Sequence, residues 1–409
     1  MNNHQSKKIS EIMQYFWVIF FPIASYNFYQ YIGFNLSLSK AIYFLLVLVS
    51  FLLVISELLK KHKSFRYSNL MKFLLFYMFF SIFISYISWD QDIVMGYRSI
   101  ASHLAIIYFF ILLKIRIPIE KLEKIIWILA ILYIILWIFA IIKAPELVFG
   151  IDDEAEINDN RGFFRLNIPG GGIIIFAFFL ALNKYNESKK LFWIAIFVGL
   201  FIIIVMHVIR QIIFFTFLLG IYYLLKKNKY LWFGLAFGGV LMLGISNIQI
   251  NDDSIFGKLV NLSKDQIENN NSGEEDIRIQ AYQFFFTEYT KKPINILFGN
   301  GVPHIESKLG KLEYSIAQNN YLWSSDVGFA SIYIKYGIIG LILYFLIFRR
   351  VLFQKLQPNY FYAKLFIIYV FAVTIAAQYI FTDVIIFAMA IYVLEYANFE
   401  TTKKKKLSI

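Results

Sequence analysis

The 409-residue chain contains no cysteine, and only 16% of its residues are charged. The missing cysteine excludes a disulfide-stapled secreted domain. An ordinary soluble domain is roughly 25% charged, so the low charge excludes a soluble globular enzyme and a disordered chain. Several catalytic signatures are absent as well. No His/Asp/Glu cluster has metal-ligand spacing, no glycine-rich loop runs into Lys-Ser/Thr, and no serine sits in a nucleophile elbow. Metal catalysis, ATP hydrolysis and serine hydrolysis are thus unsupported, and no cofactor is expected. Internal repeats are lacking, and the lysine tail is the one low-complexity tract. What the chain does have is apolar surface: 59% of it is hydrophobic and 20% aromatic. That is enough for about a dozen membrane spans of ~20 residues.

The apolar runs divide into twelve candidate helices, over 14–32, 38–58, 69–88, 97–113, 124–143, 168–183, 190–207, 211–225, 230–248, 327–348, 363–381 and 384–397. The fold expected is an all-α polytopic membrane protein of about 12 transmembrane helices. The first run is long and aromatic, with no small-residue cleavage pattern after it, so it reads as a span and not as a cleaved signal peptide. The net charge of +12 could suggest nucleic acid, but its distribution argues otherwise. With a cytoplasmic N-terminus, every short basic loop falls on one side, and most of the 39 basic residues lie there. That is the positive-inside pattern, and it makes both termini cytoplasmic. The basic excess is then an orientation signal and a contact with anionic lipid, with no nucleic acid implied.

Three segments follow: 1–248 with spans 1–9, a large extracytoplasmic loop at 249–326 between spans 9 and 10, and 327–409 with spans 10–12 and the basic cytoplasmic tail. A loop this long is functional or contains structure of its own. Ser272-Gly273-Glu274-Glu275 reads as a capping box. Ile277, Ala281, Phe284, Phe285 and Tyr289 follow at helical spacing, and Lys291-Lys292-Pro293 ends the helix. Its aromatic character suits a helix lying on the membrane face.

Charge near the membrane is costly, so such residues are the functional candidates. Arg210 lies between two apolar helices. It suits bidentate phosphate binding and equally an interfacial anchor that snorkels to lipid phosphates. Arg278, beside Asp276, fits a site or a solvated helix face. Arg161 and Arg165 close an acidic loop before Pro169-Gly170-Gly171-Gly172. That glycine run opens a helix whose free N–H groups could face an anion or whose small residues let neighbouring helices pack closely. His304 is a lone histidine after a turn. His103 and His207 fall near or within spans and read as packed polar groups. Asp326 meets the tenth span, either as a general base or orienting group or as a helix N-cap. Lys335 lies nine residues further on, about 13 Å along a helix, and needs a partner or a watered cavity there.

Taken in order, these motifs resemble the O-antigen polymerase and O-antigen ligase superfamily, the Wzy-type polymerases in particular. The resemblance rests on Arg210-Gln211 opening an apolar helix. It rests also on Arg278 followed by Ala281-Tyr282-Gln283 and Pro293 to Gly299-Asn300-Gly301, and on Asp326-Val327-Gly328 followed by Gly337-Ile338-Ile339-Gly340. The layout of spans around one large outward loop matches too. Ligases of this superfamily often carry a histidine where this chain has Asp326, which favours the polymerase branch. The resemblance implies a glycosyltransferase of the bacterial cytoplasmic (inner) membrane. It would transfer a repeat oligosaccharide from undecaprenyl diphosphate to a sugar hydroxyl of another lipid-linked repeat, of O-antigen, capsule or exopolysaccharide. Arg210, Arg278 and Asp326 would be catalytic, and Arg161, Arg165, Tyr282, His304, Tyr321 and Lys335 would bind substrate, with Trp323 another aromatic for sugar faces. The partners implied are the lipid-linked oligosaccharide, the bilayer and a chain-length regulator protein. An O-antigen ligase of the same superfamily and a lipid-linked oligosaccharide flippase or transporter are the competing readings.

Overall fold

The computed structural model describes residues 15–28, 36–60, 67–143, 157–158, 163–164, 168–207, 209–227 and 276–407. Among the described residues the regular structure is helical, apart from a two-residue antiparallel pair that sets Ile157–Asn158 against Phe163–Phe164. The first half holds α1 (Tyr15–Ser25), α2 (Leu36–Leu59), α3 (Ser68–Trp89), α4 (Ile93–Leu104), α5 (Tyr108–Ile115), α6 (Ile119–Lys143), α7 (Gly171–Ser188), α8 (Leu191–Met206) and α9 (Arg210–Lys227). The second holds α10 (Ile277–Thr287), α11 (Pro293–Phe298), α12 (Lys308–Asn320), α13 (Gly328–Phe353), α14 (Phe361–Val373), α15 (Tyr379–Thr382) and α16 (Val384–Leu407).

Five helical stretches are long and apolar enough to cross a membrane: Leu38–Leu59, Ser68–Trp89, Ile93–Ile115, Ile119–Lys143 and Gly328–Phe353. The described residues thus make a helical, multi-pass membrane protein, and the five stretches coincide with five of the twelve expected spans. Other runs fall short of that length or apolarity for different physical reasons. The runs at 14–32, 190–207 and 363–381 contain helices of fewer than 18 residues, at Tyr15–Ser25, Leu191–Met206 and Phe361–Val373. The last of these runs is broken by an irregular turn before Tyr379. α7 ends in the polar stretch Asn183–Ser188, and α9 is charged at both ends, by Arg210 and by Lys226-Lys227. The run at 230–248 lies outside the described residues.

Burial separates the apolar helices into two kinds. Nearly every side chain from Ile173 to Leu182 on α7 and from Val384 to Leu394 on α16 is buried inside the protein. A helix that is apolar all round is a core helix as readily as a lipid-facing one. α7 packs on α6, α8 and α14, and α16 packs on α5 and α14. α2 and α6 instead expose apolar faces, with Leu45, Leu48 and Leu52 on one and Ile131, Ile135 and Ile142 on the other. Such faces suit lipid.

Two tertiary devices fix the frame. The fully buried Glu395 carboxylate accepts from the Tyr67 amide (2.8 Å) and the Ser68 amide (3.1 Å), so α16 caps the start of α3. The second device interrupts α13 at Gly337, which has φ 64° and ψ −169°. The break leaves carbonyls for an outside partner. The Ile334 carbonyl accepts from the Asn300 amide (2.8 Å), and the Lys335 carbonyl accepts from the Gly301 amide (3.0 Å). Gly299 lies at φ 83°. A Cβ on Gly299 would sit 2.3 Å from the Lys335 carbonyl oxygen, and one on Gly337 would sit 2.3 Å from that of Leu297. The Gly-x-Gly turn is therefore a backbone-on-backbone crossing.

The described part of the outward loop, 276–326, packs on α3 and on the first half of α13. α10 begins at Ile277, capped by Asp276, whose side chain accepts from the Arg278 amide at 2.8 Å. The capping box expected at Ser272–Glu275 lies outside the described residues, and Asp276 supplies the cap. Pro293 opens α11 at its first turn, so it starts a helix where it was expected to end one. α10 also does not lie only against the membrane. Ala281 and Phe285 are buried against Val327, Ala330 and Ile334. At the rim, the exposed Lys308 ammonium donates to Asp90 at 2.7 Å and holds that carboxyl below its ordinary pKa.

Candidate functional site

A cavity of about 1090 Å³ lies where α4, α7, α9, α10, α13 and α15 meet. Arg210, the first residue of α9, lines it, as do Arg278 from α10, Asp326 from the turn before α13, and Lys335 from within α13. These four residues come from three separate stretches of chain, and the fold brings them to one space. Arg210, Arg278 and Asp326 are exposed, whereas Lys335 is buried. Asp326 belongs to the 3-10 turn Ser324–Asp326, and the N-cap position of α13 is Val327. The N-cap position is therefore displaced by one residue from Asp326, which lines the cavity.

Lys335 does find partners at its depth. Its ammonium donates to Ser331 Oγ (2.9 Å) and to Gln378 Oε1 (2.8 Å), and it stands 5.1 Å from the ring centre of Phe381. The other face of this cluster is aromatic. The His103 ring stacks on Phe381 at 4.2 Å, and its Nδ1 lies 2.5 Å from the Tyr336 hydroxyl. His207 Nδ1 lies 2.7 Å from the Ile203 carbonyl oxygen, so that nitrogen carries the proton. Nε2 is left to accept from the Tyr133 hydroxyl, also at 2.7 Å. Both histidines line the cavity while being packed polar groups.

The glycine run at the start of α7 also lines the cavity, through Gly170 and Gly171. Gly170 takes φ 93°, and the Gly172 amide donates to Asp383 Oδ2 at 3.2 Å. The Tyr26 hydroxyl donates to Asp383 Oδ1 at 3.4 Å. The anion these amides were expected to face is, for Gly172, the chain's own Asp383 carboxylate. The contact is close: a Cβ on Gly172 would lie 2.6 Å from Asp383 Cγ.

Tyr282, His304 and Tyr321 are not among the residues lining this cavity. The Tyr282 hydroxyl donates to the Ile375 carbonyl at 2.5 Å and fastens α10 to the turn after α14. The His304 amide donates to Gln91 Oε1 at 3.0 Å, beside α3. Tyr321 ends α12 in the left-handed region with φ 57° and is 72% exposed. Arg161 and Arg165 lie outside the described residues. Sequence reasoning missed Gln378 and Asp383 altogether. Gln378 is an amide inside the apolar run 363–381 and Asp383 an acid in the two-residue gap before 384–397, and that isolation was the available signal. Among the described residues, no group of three or more His, Asp or Glu side chains could hold a metal ion. No protein-family model matches the chain, and no curated protein matches it in sequence.

Proposed function

We propose that the protein is a membrane glycosyltransferase that polymerises lipid-linked glycan repeats. The observation that carries this reading is the convergence of Arg210, Arg278, Asp326 and Lys335 on one cavity in a multi-pass membrane protein. In the reaction, the bond between the sugar's anomeric carbon and the diphosphate oxygen of the undecaprenyl carrier breaks. The diphosphate leaves with the electron pair. A hydroxyl oxygen of the acceptor repeat bonds to the anomeric carbon, and its proton passes to the Asp326 carboxylate. Arg210 and Arg278 keep their charge at any working pH and match the geometry of phosphate oxygens, so they stabilise the departing diphosphate. The donor is already activated, which removes any need for ATP.

This reading includes a twelve-span topology with both termini cytoplasmic and the cavity on the outer face of the bacterial inner membrane. A chain-length regulator is the protein partner it implies. The test is cellular. Arg210→Ala and Arg278→Ala strains accumulate single lipid-linked repeats on the outer face of the membrane, with long chains lost. Repeats that stay on the inner face would instead indicate a flippase. Loss of all attachment to the lipid core would indicate a ligase. Either result refutes polymerisation.

A further inference from the structure

The polar groups around Lys335 are not fully used. Its side chain is 7% exposed, and no carboxylate lies within ion-pair distance of its ammonium among the described residues. An ammonium has three donors. Two go to neutral oxygens, on Ser331 and Gln378, and the third is unspent. Gln378 is fixed by the same contacts. Its Oε1 must face the ammonium, and it also accepts from the Ser331 hydroxyl at 3.2 Å. That turns its amide nitrogen away from Lys335 with both of its hydrogens available. Lys335 and Gln378 both line the cavity. The hydrogen bonds of Lys335 go only to neutral oxygens, and in a low-dielectric site the attraction between an ammonium and an incoming anion is weakly screened. Arg210 and Arg278 are exposed, so the cavity has two cationic levels at different burial.

We propose that Lys335 and Gln378 form a second anion subsite in this cavity, separate from the exposed arginines, that takes an anionic oxygen group of the ligand. Its occupant is either the carboxylate of an acidic sugar or a phosphate. The ammonium supplies charge and one hydrogen bond, and the amide supplies one or two more. The proposal rests on the glycan-transfer reading only for the choice of probes.

The experiment uses the full chain in lipid nanodiscs, with glucuronate, inorganic pyrophosphate and glucose as probes and saturation-transfer NMR as readout. Gln378→Glu is the deciding variant. Its carboxylate pairs with Lys335, so the buried charge is compensated and the fold is retained, as a thermal melt checks. The same carboxylate repels an incoming anion. Gln378→Glu and Lys335→Met should each weaken one of the two anions by about tenfold or more, leaving glucose unchanged. Loss of glucuronate assigns the subsite to an acidic sugar, and loss of pyrophosphate assigns it to phosphate. The proposal is overturned if wild type binds neither anion, if folded Gln378→Glu binds both as wild type does, or if glucose is lost in parallel. None of these readings needs turnover. A protein that fails the repeat-accumulation test can therefore still pass this one, and the reverse also holds.

Discussion

Replacing Gly337 by alanine tests the backbone crossing at its tightest point. With φ 64° and ψ −169°, this residue occupies a region open essentially to glycine alone. Forcing a side chain into it costs about 1–3 kcal/mol. The new Cβ would also stand 2.3 Å from the Leu297 carbonyl oxygen and 2.5 Å from the Gly299 amide nitrogen. Both are backbone atoms, so relief requires the two segments to separate. Separation weakens the bonds from the Asn300 amide to Ile334 and from the Gly301 amide to Lys335, each contributing about 1 kcal/mol net. The sum is about 3–5 kcal/mol, a large part of the 5–15 kcal/mol that typically holds a protein folded. The assay is a thermal or denaturant melt of the purified protein in nanodiscs. Gly199→Ala is the matched control, because a Cβ there meets nothing within 4 Å inside α8. It should be neutral or stabilising by about 0.5–1 kcal/mol. Equal stability of Gly337→Ala and Gly199→Ala would refute the crossing as a determinant of the fold.

Gly172→Ala is expected to destabilise by about 1–3 kcal/mol through overpacking against Asp383. Combined with Asp383→Ala it should cost less than the sum of the two singles, which the same melts would read as coupling. Glu395→Ala leaves the Tyr67 and Ser68 amides without their buried acceptor and should cost about 2–4 kcal/mol, with Glu395→Gln milder; equal losses for the two would argue against the cap. Lys308 lowers the Asp90 pKa, chiefly through the hydrogen bond, so whatever this exposed pair contributes is present above the ordinary carboxylate pKa. It is lost as pH falls through the depressed value. In Lys308→Ala the Asp90 titration, followed by NMR, should move back up, and an unchanged midpoint would count against the pairing.

Much of this was legible in the sequence, because scarcity of charge makes each membrane-proximal ion conspicuous. Arg210, Arg278, Asp326 and Lys335 stood out on that ground, and they do line one cavity. The helical character of the chain followed from its apolar runs. What hydropathy does not report is whether an apolar helix faces lipid or other helices. α7 and α16 read from sequence as apolar runs like any other, and the structure buries their apolar side chains inside the protein. The order of motifs along the chain also hides what crosses between them. Gly172 and Asp383 are 211 positions apart, and no local pattern pairs them. Gln378 looked like an interruption in an apolar run, and only its contact with Lys335 gives it meaning. Tyr282, His304 and Tyr321 were chosen by residue type, which says nothing about the direction in which a side chain points.

The interruption at Gly337 also changes what positions Lys335. In a continuous helix, a residue's height and rotation are inherited from the turns below it. Here the segment carrying Lys335 is indexed sideways, by the amides of Asn300 and Gly301. The buried cation is thus registered to the segment packed on α3 and not to the remainder of its own helix.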